Sequence, residues 1–402
     1  MVLGPSRSGK TTGVILPNVI AAGGPVVSTS TKDDVMVASS TQRQGHGPTY
    51  LFDPSGEVSP APGVQHIAWS PLRASARWEG ALRMATAMVE SAGPGTQQGD
   101  HHWRERATAL LGPLLFAAGA GQSMEPLLEW VDGRDGVAAL ELLDQRGLER
   151  HPSARILEGI LATEARELSG IWSTTASTLS AYRYPAALAS TQGAPLDPAS
   201  FVSSAGTLYI CSPSSVQRSV APIVVGLLEE VKEAAFTHHA RERGATPTLF
   251  ALDEVANIAP MRGLPALVSE GGGQGVLTLA CLQDLSQAQA RWGSQGRGFL
   301  SLFPVTMVLP GIADVATLRD LSAIVGEVAV PQVTSTPTGN PLGVPRRSIS
   351  TQWRPRLSPS EIAQGHEGHA LVLDARRQAG WVRLERVFAR EARSRPGLVR
   401  GR

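Results

Sequence analysis

The sequence predicts an α/β protein: a mostly parallel sheet covered by helices on both faces, interrupted by an inserted all-α segment. Three observations carry this expectation. Short β-runs alternate with helical patterns over most of the chain, as crossover-connected parallel strands require. Most of those runs are continuously apolar, which suits strands buried on both faces. A glycine-rich phosphate loop stands at the start, between a short apolar run and a helical pattern.

Strand candidates fall at residues 25–28, 50–53, 207–211, 248–253, 276–282, 305–309, 369–374 and 381–386. Between residues 71 and 198 the character changes. Helical patterns at 78–92, 103–118, 136–145, 154–168 and 171–189 follow one another with almost no β-run, and residues 93–100 read as a loop among them. The division expected is therefore a first α/β part at 1–72, an inserted all-helical domain at 73–198, and a second α/β part at 199–402. Residues 331–355 are rich in Pro, Gly, Ser and Thr and include Arg346, Arg347 and Arg354. They predict a long loop or flexible extended arm, bounded at 331–356, of a length that often serves function. No repeat of 20–50 residues is present.

Composition narrows the class. A chain of 402 residues suggests two or three units, and 42% apolar with 18% charged residues argues for packed cores rather than disorder. The 36 basic and 35 acidic side chains leave a formal charge of +1, which speaks against a surface coated broadly with nucleic acid but not against a local basic lining. Cys211 and Cys281 lie in or beside apolar runs without metal-ligand spacing, as buried thiols of a reducing compartment would. No apolar stretch reaches the ~18 residues needed to cross a bilayer. Residues 107–120, the longest, are interrupted by Gly112 and Pro113 and read as a buried helix. Only Met1, Val2 and Leu3 precede the phosphate loop, where a full strand is usual, so the natural protein is expected to continue upstream.

The loop itself is Gly4-Pro5-Ser6-Arg7-Ser8-Gly9-Lys10-Thr11, followed by Thr12. Its glycines let the backbone curl until successive N–H groups converge on phosphate oxygens, and the next helix adds the positive end of its dipole. Lys10 is placed to reach the β- and γ-phosphates and the Thr11 hydroxyl to ligate Mg2+, so ATP and magnesium are the expected cofactors. Residues 248–252 then deliver Asp253 and Glu254 to the carboxyl edge of the sheet, where ligands of open α/β sheets bind. Asp253 suits the magnesium shell and Glu254 the activation of water, which points to hydrolysis. Gln283 ends the next strand at the same edge, as a sensor of the γ-phosphate or as a cap for the following helix. Lys32, Asp33 and Asp34 either neighbour the nucleotide or open a helix; both readings stand. The histidine pairs at 101–102 and 238–239 do not share a helical face, and His366 and His369 lack the HExxH spacing, so metal binding by them is not expected.

With these residues in place, the chain resembles the coupling proteins of type IV secretion, the TraG/TraD family of conjugative DNA-transfer ATPases, and is most similar to actinobacterial members carrying a TraM-recognition domain. The carriers are GPSRSGKTTGVILPN at residues 4–18, LFDPSG at 51–56, WSPL at 69–72, GTLYICSP at 206–213 and LFALDEVANIAPMRGLP at 249–265. The likeness continues through 269–293, 309–327 and 354–364, nearly the whole chain. It implies a RecA-like P-loop NTPase motor domain with an inserted all-α domain. It also implies a homo-hexameric ring at the cytoplasmic face of the cell membrane, held there by an N-terminal segment that this chain lacks. In that ring DNA passes through a central channel, and relaxase-bound cargo of the relaxosome is handed to secretion-channel proteins. One departure concerns turnover. Many relatives carry an arginine in the turn at 271–275, where this chain has Gln274; Arg291, then Arg262, are the candidates to act in trans instead. That departure keeps a second reading open, an ATP-binding recruitment platform with little hydrolysis. A third is a related hexameric motor for chromosome segregation or protein export.

Overall fold

The computed structural model describes residues 1–93, 100–121, 123–213, 215–336, 346–376 and 378–385. In chain order its strands are β1 Val2–Leu3, β2 Val26–Ser30, β3 Thr49–Phe52, β4 Gln65–His66, β5 Thr207–Cys211 and β6 Thr248–Leu252. They continue with β7 Val276–Leu282, β8 Val305–Val308, β9 Glu327–Thr336, β10 Arg346–Pro355, β11 His369–Asp374 and β12 Gly380–Arg383. Ten of them form one sheet in the order β12-β11-β8-β1-β7-β6-β2-β5-β3-β4. From β4 to β8 every neighbouring pair is parallel, whereas β11 runs antiparallel to β8 and β12 antiparallel to β11. The fully buried strands β2 and β5 are the ones whose sequences lack an exposed alternating face. The expected α/β fold is thus the one observed, with strand limits shifted by one or two residues; the last expected strand ends at Arg383, and Arg386 lies outside the described residues.

Every element between β4 and β5 is helical. Two of the expected helices there are divided. The pattern at 154–168 splits because Glu164 caps a new helix, Ala165–Thr178, by accepting from Glu167 N, so the preceding one, Pro152–Leu161, ends earlier. The pattern at 171–189 breaks at Tyr184, whose extended backbone is what the following Pro185 demands. Of the loop expected at 93–100, residues 94–99 lie outside the described residues.

A helix at Gln217–Arg241 buries Val220, Val224, Leu227 and Leu228 and joins the helical stretch to the sheet. Gly226 is needed on it because Trp69 lies 2.6 Å from where a Cβ would stand. Buried side chains from Met84 and Leu110 through Ile223 to Phe250 make one continuous core across the two.

The stretch at 331–355 is not a loop. Its described residues complete β9 and β10, an antiparallel ribbon of ten residue pairs from Glu327↔Pro355 to Thr336↔Arg346. Backbone pairing overrides the Pro- and Ser-rich composition, since Pro331 sits where an edge strand tolerates a missing donor. Residues 337–345 lie outside the described residues.

Candidate nucleotide site

The phosphate loop grows directly out of β1. Gly4 N donates to Leu282 O (3.1 Å), extending the β1–β7 ladder by one bond before the chain turns away. A Cβ at Gly4 would stand 2.7 Å from Ser8 Oγ and 3.0 Å from Leu309 Cβ, so the loop closes only around glycine. Gly9 turns with φ +95°, open to glycine and strained for other residues. Arg7 is also left-handed, at φ 64°. Gly13 N then bonds to Gly9 O (2.8 Å), and a single π-turn, Thr11–Ile15, leads into the helix Leu16–Ala21.

Lys10 is 6% exposed, and its Nζ donates to Gly4 O (2.7 Å) and Pro5 O (2.9 Å), so the ammonium spans the loop from inside. Ser8 Oγ is buried with no hydrogen-bond partner. Such a hydroxyl is one that a phosphate oxygen would satisfy. Pro5, Ser6, Arg7 and Thr12 are partly or fully exposed around this cradle. Beside it, Ser8, Gly9, Gly13, Leu309, Gly368 and Leu384 line a cavity of about 140 Å³.

The carboxylates arrive from β6, separated from β1 by β7 alone. Asp253 is 7% exposed, and its Oδ2 accepts from Thr11 Oγ1 at 2.6 Å. Its Oδ1 accepts from Glu254 N (3.1 Å), and its backbone carbonyl from Thr29 Oγ1 in β2 (3.1 Å). Burial lifts its carboxyl above the usual aspartate range, partly opposed by the Thr11 bond, Lys10 and the Glu254 N–H, and reinforced by the charge of Asp34. Glu254 follows with φ 50° and ψ 43°, a left-handed backbone that disfavours a side chain by about 1–2 kcal/mol. Asn257 Nδ2 donates to Glu254 Oε2 (3.2 Å). Strain of this kind collects at working sites.

Gln283 sits at the carboxyl end of β7, between the loop and Asp253. It is not the cap of the next helix. Asp284 fills that role for Leu285–Trp292 by accepting from Gln287 N (3.1 Å), while Gln287 Oε1 accepts from Gln283 N (3.0 Å). Asp34 opens the helix Asp34–Gln44, with its Oδ1 accepting from Val35 N (2.9 Å), yet its charge acts on Asp253. The helix-opening reading of that residue is the one observed, and Lys32 and Asp33 directly precede the helix.

Thr11, Lys10, Asp253, Glu254 and Gln283 therefore share one sheet edge, whereas Arg291 and Arg262 do not join them. Arg291 donates from Nη1 to Gly93 O and from Nη2 to Ser91 O (2.7 Å), closing the end of the helix Trp78–Ser91. Burial, then Arg104 and Arg218, bring its guanidinium down to about 10, still a cation at neutral pH. Arg262 pairs with Glu90 at 2.8 Å. The Gly271–Gln274 turn precedes β7 and so lies at the opposite, amino edge, about 23 Å away along a seven-residue strand. Thr29 and Asn257 were not singled out from the sequence; the one available signal was the run of three hydroxyl residues, Ser28 to Ser30, that ends β2.

A phosphate loop and a paired carboxylate on one edge of a parallel sheet place the chain among the RecA-like P-loop nucleotide-binding α/β proteins. The chain belongs to the type IV secretory system conjugative DNA transfer family, whose model matches residues 1–380. It is 23% identical over 396 residues to the conjugal transfer protein TraG of Escherichia coli, a match spanning 89% of this chain and 60% of that protein. Its fold is similar to that of the bacterial conjugative coupling protein TrwBΔN70 in an unbound form, with a TM-score of 0.71 at 18% identity over 96% of this chain and 84% of that one. TrwB in complex with ADP and Mg2+ gives 0.69 at the same identity and coverage. Among the described residues no helix is long and apolar enough to cross a membrane.

Proposed function

We propose that this chain is the ATP-hydrolysing motor of a conjugative coupling protein, which moves DNA and brings relaxase-bound cargo to a type IV secretion channel. The observation that carries the reading is the 2.6 Å bond from Thr11 to Asp253, which joins the phosphate loop to the strand bearing the acidic pair. The orphaned Ser8 hydroxyl, the glycine cradle and the Lys10 ammonium fit a triphosphate, and the Thr11 hydroxyl with the Asp253 carboxylate fits a magnesium shell. Magnesium, when bound, offsets phosphate charge. Lys10 exchanges its two carbonyls for phosphate oxygens, and Ser8 gains a partner. Glu254, steadied by Asn257, takes a proton from water, and Gln283 lies where it can register the γ-phosphate.

In this reading residues 73–198 form the recruiting domain, and their continuous core with the sheet couples them firmly to the motor. The working form is a homo-hexamer with DNA in its channel, held at the cytoplasmic face of the membrane. ATP turnover per subunit, measured over a concentration series with and without DNA, tests this. Turnover should rise with both and vanish in Lys10→Ala.

A second reading, a recruitment platform that binds ATP and scarcely hydrolyses it, is favoured by one observation. Both trans-arginine candidates are engaged within their own chain, and the turn at 271–275 holds none. A slow, flat, DNA-insensitive rate would select it.

A further inference from the structure

We propose that the β9–β10 ribbon is a duplex-DNA arm whose even-numbered face lies in the major groove. This rests on the reading of the chain as a DNA motor. In the register Glu327↔Pro355 to Thr336↔Arg346, directly opposed residues have the same parity, so even-numbered side chains of both strands share one face and odd-numbered ones the other. The even face presents Gln332, Thr334, Ser348, Ser350, Gln352 and Arg354, all exposed, and nearer its root Val328 and Val330, opposite Arg354 and Gln352 and 42% and 36% exposed. Arg356 continues it at the root, where its N–H bonds to Gly326 O (2.8 Å).

This set has the chemistry of groove contact. Amides and hydroxyls both donate and accept, as base edges require, and arginines meet phosphates or guanine. Glu327, on the odd face, is the only carboxylate in residues 327–356, against four arginines at 346, 347, 354 and 356, so the arm is complementary to a polyanion although the whole chain is nearly neutral. The shape agrees. Ten residues per strand extend about 34 Å, and a two-stranded ribbon is one of the elements that a major groove admits. The even face holds no aromatic residue, so it lacks the stacking platform that single strands use.

The odd face differs. Val333, Ile349 and Trp353 are 58%, 74% and 65% exposed there. An apolar stripe of that kind usually marks a protein contact. A second copy of the chain docking on this stripe is the rival occupant of the ribbon, and the experiment separates the two.

The full chain, saturated with magnesium and a non-hydrolysable ATP analogue, is titrated onto fluorescent DNA over a salt series. The probes are a duplex of about three helical turns and a single strand of equal length. The triple variant Gln352→Ala, Arg354→Ala, Arg356→Ala should lose at least ~10-fold in duplex affinity. Its log–log salt slope should fall by about two, one for each lost arginine–phosphate contact, with analogue affinity unchanged. Ile349→Ser with Trp353→Ser should leave duplex binding at the parental level. Parental duplex affinity and slope in the triple variant overturn the proposal. So does an equal loss on the single strand, or a loss confined to the odd-face variant together with a smaller sedimenting mass, which makes the ribbon a subunit contact. If DNA fails to stimulate the parent's ATPase while the even-face loss is still seen, the motor reading falls and the arm stands.

Discussion

Thr11 and Asp253, 242 positions apart, are joined by a 2.6 Å hydrogen bond from hydroxyl to carboxylate, and it ties the phosphate-loop helix to the end of β6. Thr11→Val keeps the shape and removes the donor, leaving a buried carboxylate oxygen unsatisfied. We expect a loss of about 1–3 kcal/mol in chemical denaturation and weaker Mg-nucleotide binding by calorimetry. Thr11→Ser should restore both, and a valine variant as stable as the parent would contradict the assignment.

The Asp253 carboxyl is held above its ordinary value near 3.8 chiefly by burial. A carboxyl raised in the folded state favours folding fully only below its unfolded value, and that contribution is lost as pH rises through the folded one. At neutral pH the ionised group therefore weakens the nucleotide-free fold until a cation meets it. The rise in melting temperature caused by magnesium with ADP should be largest near neutrality. It should fade as pH falls through the raised pKa of Asp253. In Asp253→Asn the magnesium-dependent part of the rise should be absent at every pH.

Glu254 combines a left-handed backbone with a carboxylate held by Asn257. Glu254→Gln should bind Mg-ATP like the parent and turn it over ~10²–10⁴-fold more slowly, having lost the base. Glu254→Gly should be equally inactive yet at least as stable, because glycine relieves up to about 1 kcal/mol of backbone strain. A glycine variant clearly less stable than the glutamine one would show that the conformation is not strained.

Arg291 and Arg262 should separate in a stability assay. Arg291→Ala strips two carbonyls at the end of the helix Trp78–Ser91 of a buried partner, for an expected loss of about 2–3 kcal/mol. Arg262→Ala breaks an exposed pair and should change stability by less than about 1 kcal/mol. An Arg291→Ala subunit that keeps parental stability, hydrolyses no ATP alone and regains turnover when mixed with an ATPase-dead Lys10→Ala partner, which still carries Arg291, would restore the trans-acting role instead.

The parts of the site legible in the sequence are those in which local backbone geometry dictates residue type. Gly4, Gly9, Lys10 and Thr11 must keep one spacing for a loop to close around phosphate, and Asp253 with Glu254 must follow an apolar strand. Strands β5 and β6 were legible because burial of most of their residues leaves a run that is apolar after its first threonine, and β7 because its run is apolar but for Thr278. What stayed hidden depends on partners distant in sequence. Thr29, Asn257 and Arg43 look like ordinary polar residues of a strand or helix. Arg43 is in fact fully buried and bonds to the carbonyls of Ala22, Gly24 (2.8 Å) and Ala205 (3.3 Å). For residues 331–355 a loop and an extended arm were both open, because Pro, Ser and Thr suggest loops, whereas the cross-strand register that makes the arm a ribbon is a pairwise property that composition does not carry.

Arg43 and Arg291 share an asymmetry with a consequence for descent. Apart from the bond from Arg43 Nε to Thr207 Oγ1 (2.7 Å), each grips main-chain carbonyls, which every amino acid supplies, so nothing at Ala22, Ser91 or Gly93 has to change when the arginine does. Inheritance is therefore one-sided at these joints. Across related chains the arginines should persist while Ala22 and Ser91 drift, and a search for co-varying pairs should pass over these carbonyl contacts although each binds distant parts of the molecule together.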